Sequence, residues 1–330
     1  MNVKDLVEMI KYDDIDSVLR IINQENQHQN FEVNDIDDEG NTILHYAVAF
    51  QSIDIIKALL RHSDIDVNII NNDEESALHT AVQVDDVEII KTLLEHESLN
   101  VNCVNIFQET PLHYAIQIQK DNVEDVVSAL LNNANTDVNA ADSFLATPLH
   151  VTTKKTLVDI LIKHQEININ ALDSCKATPL QILVCEDCLD VVKSLLTSPY
   201  INVNNIDNDG FTALDYAIKN SDINSEMIEI LIANKAIVNN IEDIKSSFNE
   251  RTLEQLKEIF LSAYKGIEKI KISENSDSLA SICSQWQMLL HQLPDNYREN
   301  IKTYIEDSLG PSRVFNLTNA SQISGLLVRR

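Results

Sequence analysis

Over the first 240 positions, apolar residues come in short bursts three and four apart, separated by polar stretches. Ile56, Leu59 and Leu60 form one burst; Ile90, Leu93 and Leu94, and later Val192, Leu195 and Leu196, repeat it. That spacing places the three residues on one face of a helix. Two further markers keep step with the bursts. A Leu stands two places after a Ser/Thr at Leu44, Leu78, Leu112, Leu149, Leu180 and Leu214, at intervals of 34, 34, 37, 31 and 34 residues. A Val-Asn or Ile-Asn pair opens nine residues before each of those Ser/Thr, at Val33, Val67, Val101, Val138, Ile169 and Val203. Two markers in phase six times define a structural repeat.

Each unit predicts the same order of elements. The pair opens a polar turn, such as Asp35 to Gly40. The Ser/Thr caps a short helix, because its hydroxyl accepts from a free first-turn N–H. Pro111, Pro148 and Pro179 occupy the first helical position, where a missing N–H costs nothing. Ala47, Ala81, Ala115 and Ala217 let a neighbouring helix approach closely. A turn then leads to the second, amphipathic helix. One such unit cannot bury its apolar face, whereas a stack can, so the expected fold is all-α: a solenoid of helix pairs with hairpin tips. In residues 3–22, Leu6, Met9, Ile10, Val18 and Leu19 predict two further short helices.

The segments Thr110-Pro111-Leu112-His113-Tyr114-Ala115 and Thr147-Pro148-Leu149-His150, with the Val-Asn pairs, resemble the ankyrin repeat. The resemblance covers residues 1–240. It implies a non-enzymatic interaction scaffold that binds proteins through its hairpin tips and the concave face of its first helices. The expected organisation is an N-terminal capping repeat and linker over 1–32, six repeats over 33–237, a C-terminal cap over 238–266 and a small helical region over 267–330. The resemblance also implies that His45, His79, His113 and His150 tie adjacent turns together by hydrogen bonds. Two departures carry expectations of their own. The turn glycine survives only at Gly40 and Gly210, while Glu74, Gln108, Leu145 and Lys176 hold its place, which predicts less regular tips. In the fourth repeat Val151-Thr152-Thr153-Lys154-Lys155 replaces an Ala-containing helix, which predicts a shortened, irregular one.

Charge narrows the partner. The chain holds 25 Lys+Arg against 52 Asp+Glu, a net charge of −27. Residues 241–330 contain 11 Lys+Arg and 12 Asp+Glu, so nearly all of the excess lies on the repeats. Such a surface disfavours nucleic acid and anionic membranes and favours a protein partner with a basic surface; the alternative is that the charge serves solubility. No apolar run is long enough to span a bilayer. The N-terminus turns acidic at once, unlike a secretory leader, and five Cys suit reduced thiols in the cytoplasm. A monomer is expected. The Asn-, Ile- and Asp-rich composition is similar to that of ankyrin effectors which intracellular bacteria inject into host cells, and of amoebal and viral ankyrin proteins. That likeness implies a host-cell cytoplasmic location without a cleaved signal peptide, and Leu326-Leu327-Val328 suits a C-terminal secretion signal.

Candidate chemistry is sparse. Five scattered Gly leave no P-loop, no G-x-G-x-x-G and no nucleophile elbow. The repeat histidines sit on helices that stack about 8–10 Å apart, too far to share a metal bound at about 2 Å. Cys185-Glu186-Asp187-Cys188 with Cys175 is a zinc or redox candidate, but it lacks a fourth ligand and falls on an interhelix turn. Asp13-Asp14 and Asp85-Asp86 fit turn geometry. Cys283 and His291 stand eight apart on one predicted helix, about 12 Å and beyond hydrogen-bond reach. No catalytic, metal or cofactor site is expected.

Beyond the repeats, three apolar stripes predict helices: Leu253, Leu256 and Phe260; Leu279, Ile282, Trp286, Leu289 and Leu293; Tyr297, Ile301, Tyr304 and Ile305, closed by Gly310-Pro311. Ser278 to Cys283 with Leu293-Pro294 and Tyr304-Ile305 resembles the SOCS box of ubiquitin-ligase adaptors. Leu293-Pro294 with Ile301 and Tyr304 also resembles the start of an F-box. Gln287 stands where the first pattern wants an apolar residue. A ligase adaptor is therefore the second functional reading, and plain helices packed on the last repeat are the alternative for this segment.

The binding site is sought where the tips change character. Asp38-Glu39, Asn72-Asp73 and Asn208-Asp209 are polar, whereas the third and fourth tips carry Ile106-Phe107 and Phe144-Leu145. Val84 and Ile118 lie beside them on the first helices. Exposed apolar side chains rimmed by Asp38, Glu39, Asp73 and Asp209 have the anatomy of a hot spot; the alternative is that these side chains pack back onto a neighbouring repeat.

Overall fold

A computed structural model describes residues 3–12, 14–23, 32–220, 224–240, 254, 257, 261, 290, 293 and 295–309. The chain divides into two compact units, Met1–Ala171 and Leu172–Arg330. Helices account for the regular structure among the described residues, with two isolated antiparallel bridges, Ile36 to Thr42 and Ile70 to Ser76.

The first unit holds α1 (Val3–Lys11), α2 (Ile15–Asn23), α3 (Ile43–Ala49), α4 (Ile53–Leu60), α5 (Ala77–Val84), α6 (Val87–Leu94), α7 (Pro111–Ile118), α8 (Val123–Leu131) and α9 (Lys155–Leu161). Its first helices stack as α3 on α5 on α7, its second helices as α4 on α6 on α8, and α1 and α2 pack against α3 and α4. The second unit holds α10 (Pro179–Cys185), α11 (Leu189–Leu195), α12 (Ala213–Lys219), α13 (Ser225–Ala233) and α14 (Asp295–Leu309). There α10 packs on α12 and α11 on α13. Apart from α14 these helices run seven to nine residues, too short to persist alone in water. Packing holds them. All six marker leucines are buried, as are Ile56, Leu59, Ile90, Leu93, Val192 and Leu195 of the bursts. Each such side chain is stabilising by about 1.5–3 kcal/mol.

The caps form as their residues require. Thr42, Ser76, Thr110, Thr178 and Thr212 each accept from the backbone N–H three residues on, and the side chain there accepts from the cap N–H in return. The tips correct one expectation. Glu74, Gln108, Leu145 and Lys176 take the same left-handed backbone as Gly40 and Gly210, with φ of 57°, 61°, 58° and 58° against 78° and 81°. The cause is an Asp or Asn five places before every Ser/Thr. One side-chain oxygen of Asp37, Asn71, Asn105, Asp142, Asp173 or Asp207 accepts two N–H groups across each turn, such as those of Phe107 and Glu109 at Asn105. The carboxylate or amide shapes the tip, and the residue at the left-handed position adapts to it.

The fourth repeat is irregular where β-branched residues replace Ala. After its cap a single turn at 148–150 takes the place of the first helix. Glu124 of α8 secures the segment that leads into α9: its carboxylate pairs with Lys154 Nζ at 2.6 Å and accepts from Thr156 Oγ1 at 2.7 Å. Those two contacts, Lys154 first, pull its pKa down to about 2.

Candidate functional site

Four of the tips in the first unit join into one ribbon. Asn72 N–H donates to Glu39 O, Ile106 N–H to Asp73 O and Ser143 N–H to Phe107 O. Asp38, Glu39, Asp73, Ile106, Phe107, Phe144 and Leu145 are thereby brought onto successive neighbouring tips. The four apolar side chains reach solvent: Ile106 is 50 %, Phe107 59 %, Phe144 70 % and Leu145 54 % exposed. Val84 and Ile118, at the ends of α5 and α7, are half-buried. Asp209 belongs to the second unit, where its carbonyl accepts from Asn240 Nδ2. Asp38 already pairs with Lys4 of α1 at 2.5 Å, with both side chains exposed, so the contact adds little stability.

One residue of this surface escaped the sequence reading. Phe50 follows α3 at the register of Val84 and Ile118, eight places after the cap, and is 44 % exposed, its ring stacked on Tyr46. The signal was its spacing from Thr42. Tyr46 in turn donates to Asp37 Oδ2 at 2.5 Å, and burial together with that carboxylate pushes its phenol up to about 12.

The histidines are structural. In four repeats the cap N–H donates to Nδ1 of His45, His79, His113 or His150; in the first three this leaves the proton on Nε2 to donate across to the next tip, His45 to Glu75 O, His79 to Glu109 O and His113 to Ala146 O, each at 3.1 Å. Burial, opposed by those carbonyl contacts, holds the three rings below the usual imidazole value. Gln181 does the same work in the fifth repeat, accepting from Thr178 N–H and donating to Phe211 O. Asp215 reverses the polarity in the sixth. A carboxylate only accepts, so it takes the N–H groups of Thr212, Asn239 and Asn240.

The marker Asn carries a second bridge. Asn102 Nδ2 donates to Asn135 O while its Oδ1 accepts from Asp137 N–H, and Asn34, Asn68, Asn139 and Asn204 repeat the pattern. A seventh Val-Asn pair, Val238-Asn239, continues the markers past the expected end of the repeats, with Val238 buried.

Cys185 ends α10 and Cys188 directly precedes α11; burial and then Glu186 push both thiols up, away from the reactive thiolate. Among the described residues no cluster of three or more His, Cys, Asp or Glu is arranged to hold a metal ion, and no helix is long and apolar enough to cross a membrane. Cys283, His291 and most of the SOCS-box-like segment lie outside the described residues, as do Leu253, Leu256, Phe260, Leu279, Ile282, Trp286 and Leu289. Helix α14 does realise the third stripe, burying Ile301 and Ile305.

Comparison with solved structures points to a single architecture. The ankyrin repeat domain of Bcl-3, described as a unique member of the IkappaB protein family, superposes with a TM-score of 0.58 at 22 % identity, over 67 % of this chain and 100 % of that one. The ankyrin repeat protein EF0377 superposes with a TM-score of 0.51 at 23 % identity, over 59 % of this chain and 98 % of that one. No curated protein matches the sequence. The family profile described as ankyrin repeats in three copies matches in overlapping windows, residues 6–105, 65–142, 113–205 and 149–243. With its Ser/Thr caps, its histidine and asparagine bridges and its profile matches agreeing, the chain belongs to the ankyrin-repeat family, whose all-α solenoids serve as protein-interaction modules.

Proposed function

We propose that the first unit binds a protein with a basic surface, and that Phe107 and Phe144 are its anchors. The observation that carries this reading is the exposure of Ile106, Phe107, Phe144 and Leu145 on neighbouring tips that hydrogen bonds hold in one ribbon. Nothing in the turn requires an aromatic there, since Asn105 and Asp142 shape it by themselves. Apolar area left in water is unfavourable by about 25 cal/mol per Å², and a partner that covers it recovers that energy. Asp38, Glu39 and Asp73 on the preceding tips supply the attraction at a distance.

Affinity capture with the full chain identifies the partner, and titration with Phe107→Ala and Phe144→Ala tests the site. Each substitution is expected to weaken binding by about 2 kcal/mol, the range of a true anchor, while leaving the thermal midpoint unchanged. A lowered midpoint with unchanged affinity would mean that the rings serve stability. The association rate should fall as salt rises, because the Debye length shrinks from about 10 Å at 0.1 M to 3 Å at 1 M. A salt-independent rate removes the basic partner.

A further inference from the structure

Phe50, directly after α3, and Val84 and Ile118, the last residues of α5 and α7, occupy one register, each eight places after its cap. Because α3 packs on α5 and α5 on α7, this apolar row advances by one interhelical distance per residue, about 8–10 Å. In a bound α-helix, seven residues return to nearly the same face after about 10.5 Å. An extended strand turns successive side chains to opposite faces, and its same-face spacings of about 6.6 and 13 Å miss this step.

Charge is sorted along the same repeats. The tips at 37–41, 71–75 and 105–109 and the first helices after them, through Phe50, Val84 and Ile118, hold seven Asp/Glu and no Lys or Arg. Three of the four cations of these repeats, Lys57, Arg61 and Lys91, fall on or just after the second helices; the fourth, Lys120, stands in the turn between α7 and α8. Glu75 and Glu109, directly before the caps of α5 and α7, both bear on the Tyr114 phenol, which they raise in addition to its burial. Each of the three tips thus carries at least one carboxylate beside the apolar row.

We infer that the first helices of the first three repeats receive a basic amphipathic helix whose apolar residues recur every seven positions and whose Lys or Arg side chains face the carboxylates of the tips. This rests on the reading that these repeats bind protein and adds the form the bound segment takes.

Three Lys-rich synthetic peptides of one composition test it against the full chain by fluorescence anisotropy and circular dichroism. The first carries Leu at i, i+7 and i+14; the second carries Leu at i, i+5 and i+10; the third is the first with a central Pro. The first peptide should bind about tenfold or more tighter than either other and gain helicity on binding. Phe50→Ala with Ile118→Ala should abolish that preference while the chain keeps its cooperative thermal unfolding transition. Equal binding of all three peptides, or tighter binding of the Pro peptide, overturns the helical partner. Such a result leaves protein binding at the tips to stand or fall on Phe107→Ala and Phe144→Ala. Conversely, loss of the tip anchors as binding residues leaves the preference for the first peptide intact if the helical groove is real.

Discussion

At the level of single residues, this chain accepts backbone strain that most turns avoid. Among the described residues nine non-glycine residues take positive φ, Glu74, Gln108, Leu145 and Lys176 at the tips among them. An L-residue in that region is destabilised by about 1–2 kcal/mol. Glu74→Gly and Gln108→Gly relieve it, and after the larger entropy that Gly loses on folding each should stabilise the first unit by roughly 0.5–1 kcal/mol in chemical denaturation. Gly40→Ala should do the reverse. Its φ is +78°, and a Cβ there would stand 2.9 Å from the Asn72 backbone N, a contact across two tips that no side-chain rotation relieves. That asymmetry was not legible in the missing glycines. It was legible in the Asp and Asn five places before each cap, whose side-chain oxygens hold the turn whichever residue occupies the left-handed position.

Between elements, the bond from cap to next tip is the recurring joint, and its chemistry asks for an acceptor on one side and a donor on the other. Neutral His meets that demand, and so does Gln181. His79→Gln should therefore cost less than about 1 kcal/mol in thermal or chemical unfolding. His79→Ala strands the Ser76 N–H and the Glu109 carbonyl and should cost about 2–3 kcal/mol. The asparagine bridges run through more exposed positions, so Asn102→Ala should cost only about 1 kcal/mol by the same measurement. Asp215 shows where this joint ends: with nothing to donate, it meets the N–H groups of Asn239 and Asn240 in place of a carbonyl. The helix lost from the fourth repeat was legible in Val151-Thr152-Thr153. Its replacement by the pairing of Glu124 with Lys154 was not, because those residues meet only when α8 and α9 pack.

For the chain as a whole, pH tests the joints together. His45, His79 and His113 are held below the usual imidazole value, chiefly by burial. Between their folded values and about 6.5, the unfolded chain binds protons that the folded one does not, so stability rises with pH there. The stability these rings contribute is present above about pH 6.5 and is lost as pH falls toward the folded values. Urea titrations from pH 7.5 to 5 should show the decline, and it should be shallower in His79→Gln. The repeat, its helix pairs, their caps and the excess of acid were all readable in order along the chain, because each rests on residues within a few positions of one another. Which apolar side chains reach water was not. Phe107 and Leu112 are five apart and both apolar; one projects from its tip into solvent, the other is buried under a stacked helix. Phe50 joins Val84 and Ile118 only once α3, α5 and α7 lie side by side. Local spacing decides what a segment folds into, whereas exposure depends on what the next repeat covers, and that contact spans roughly a full repeat of sequence.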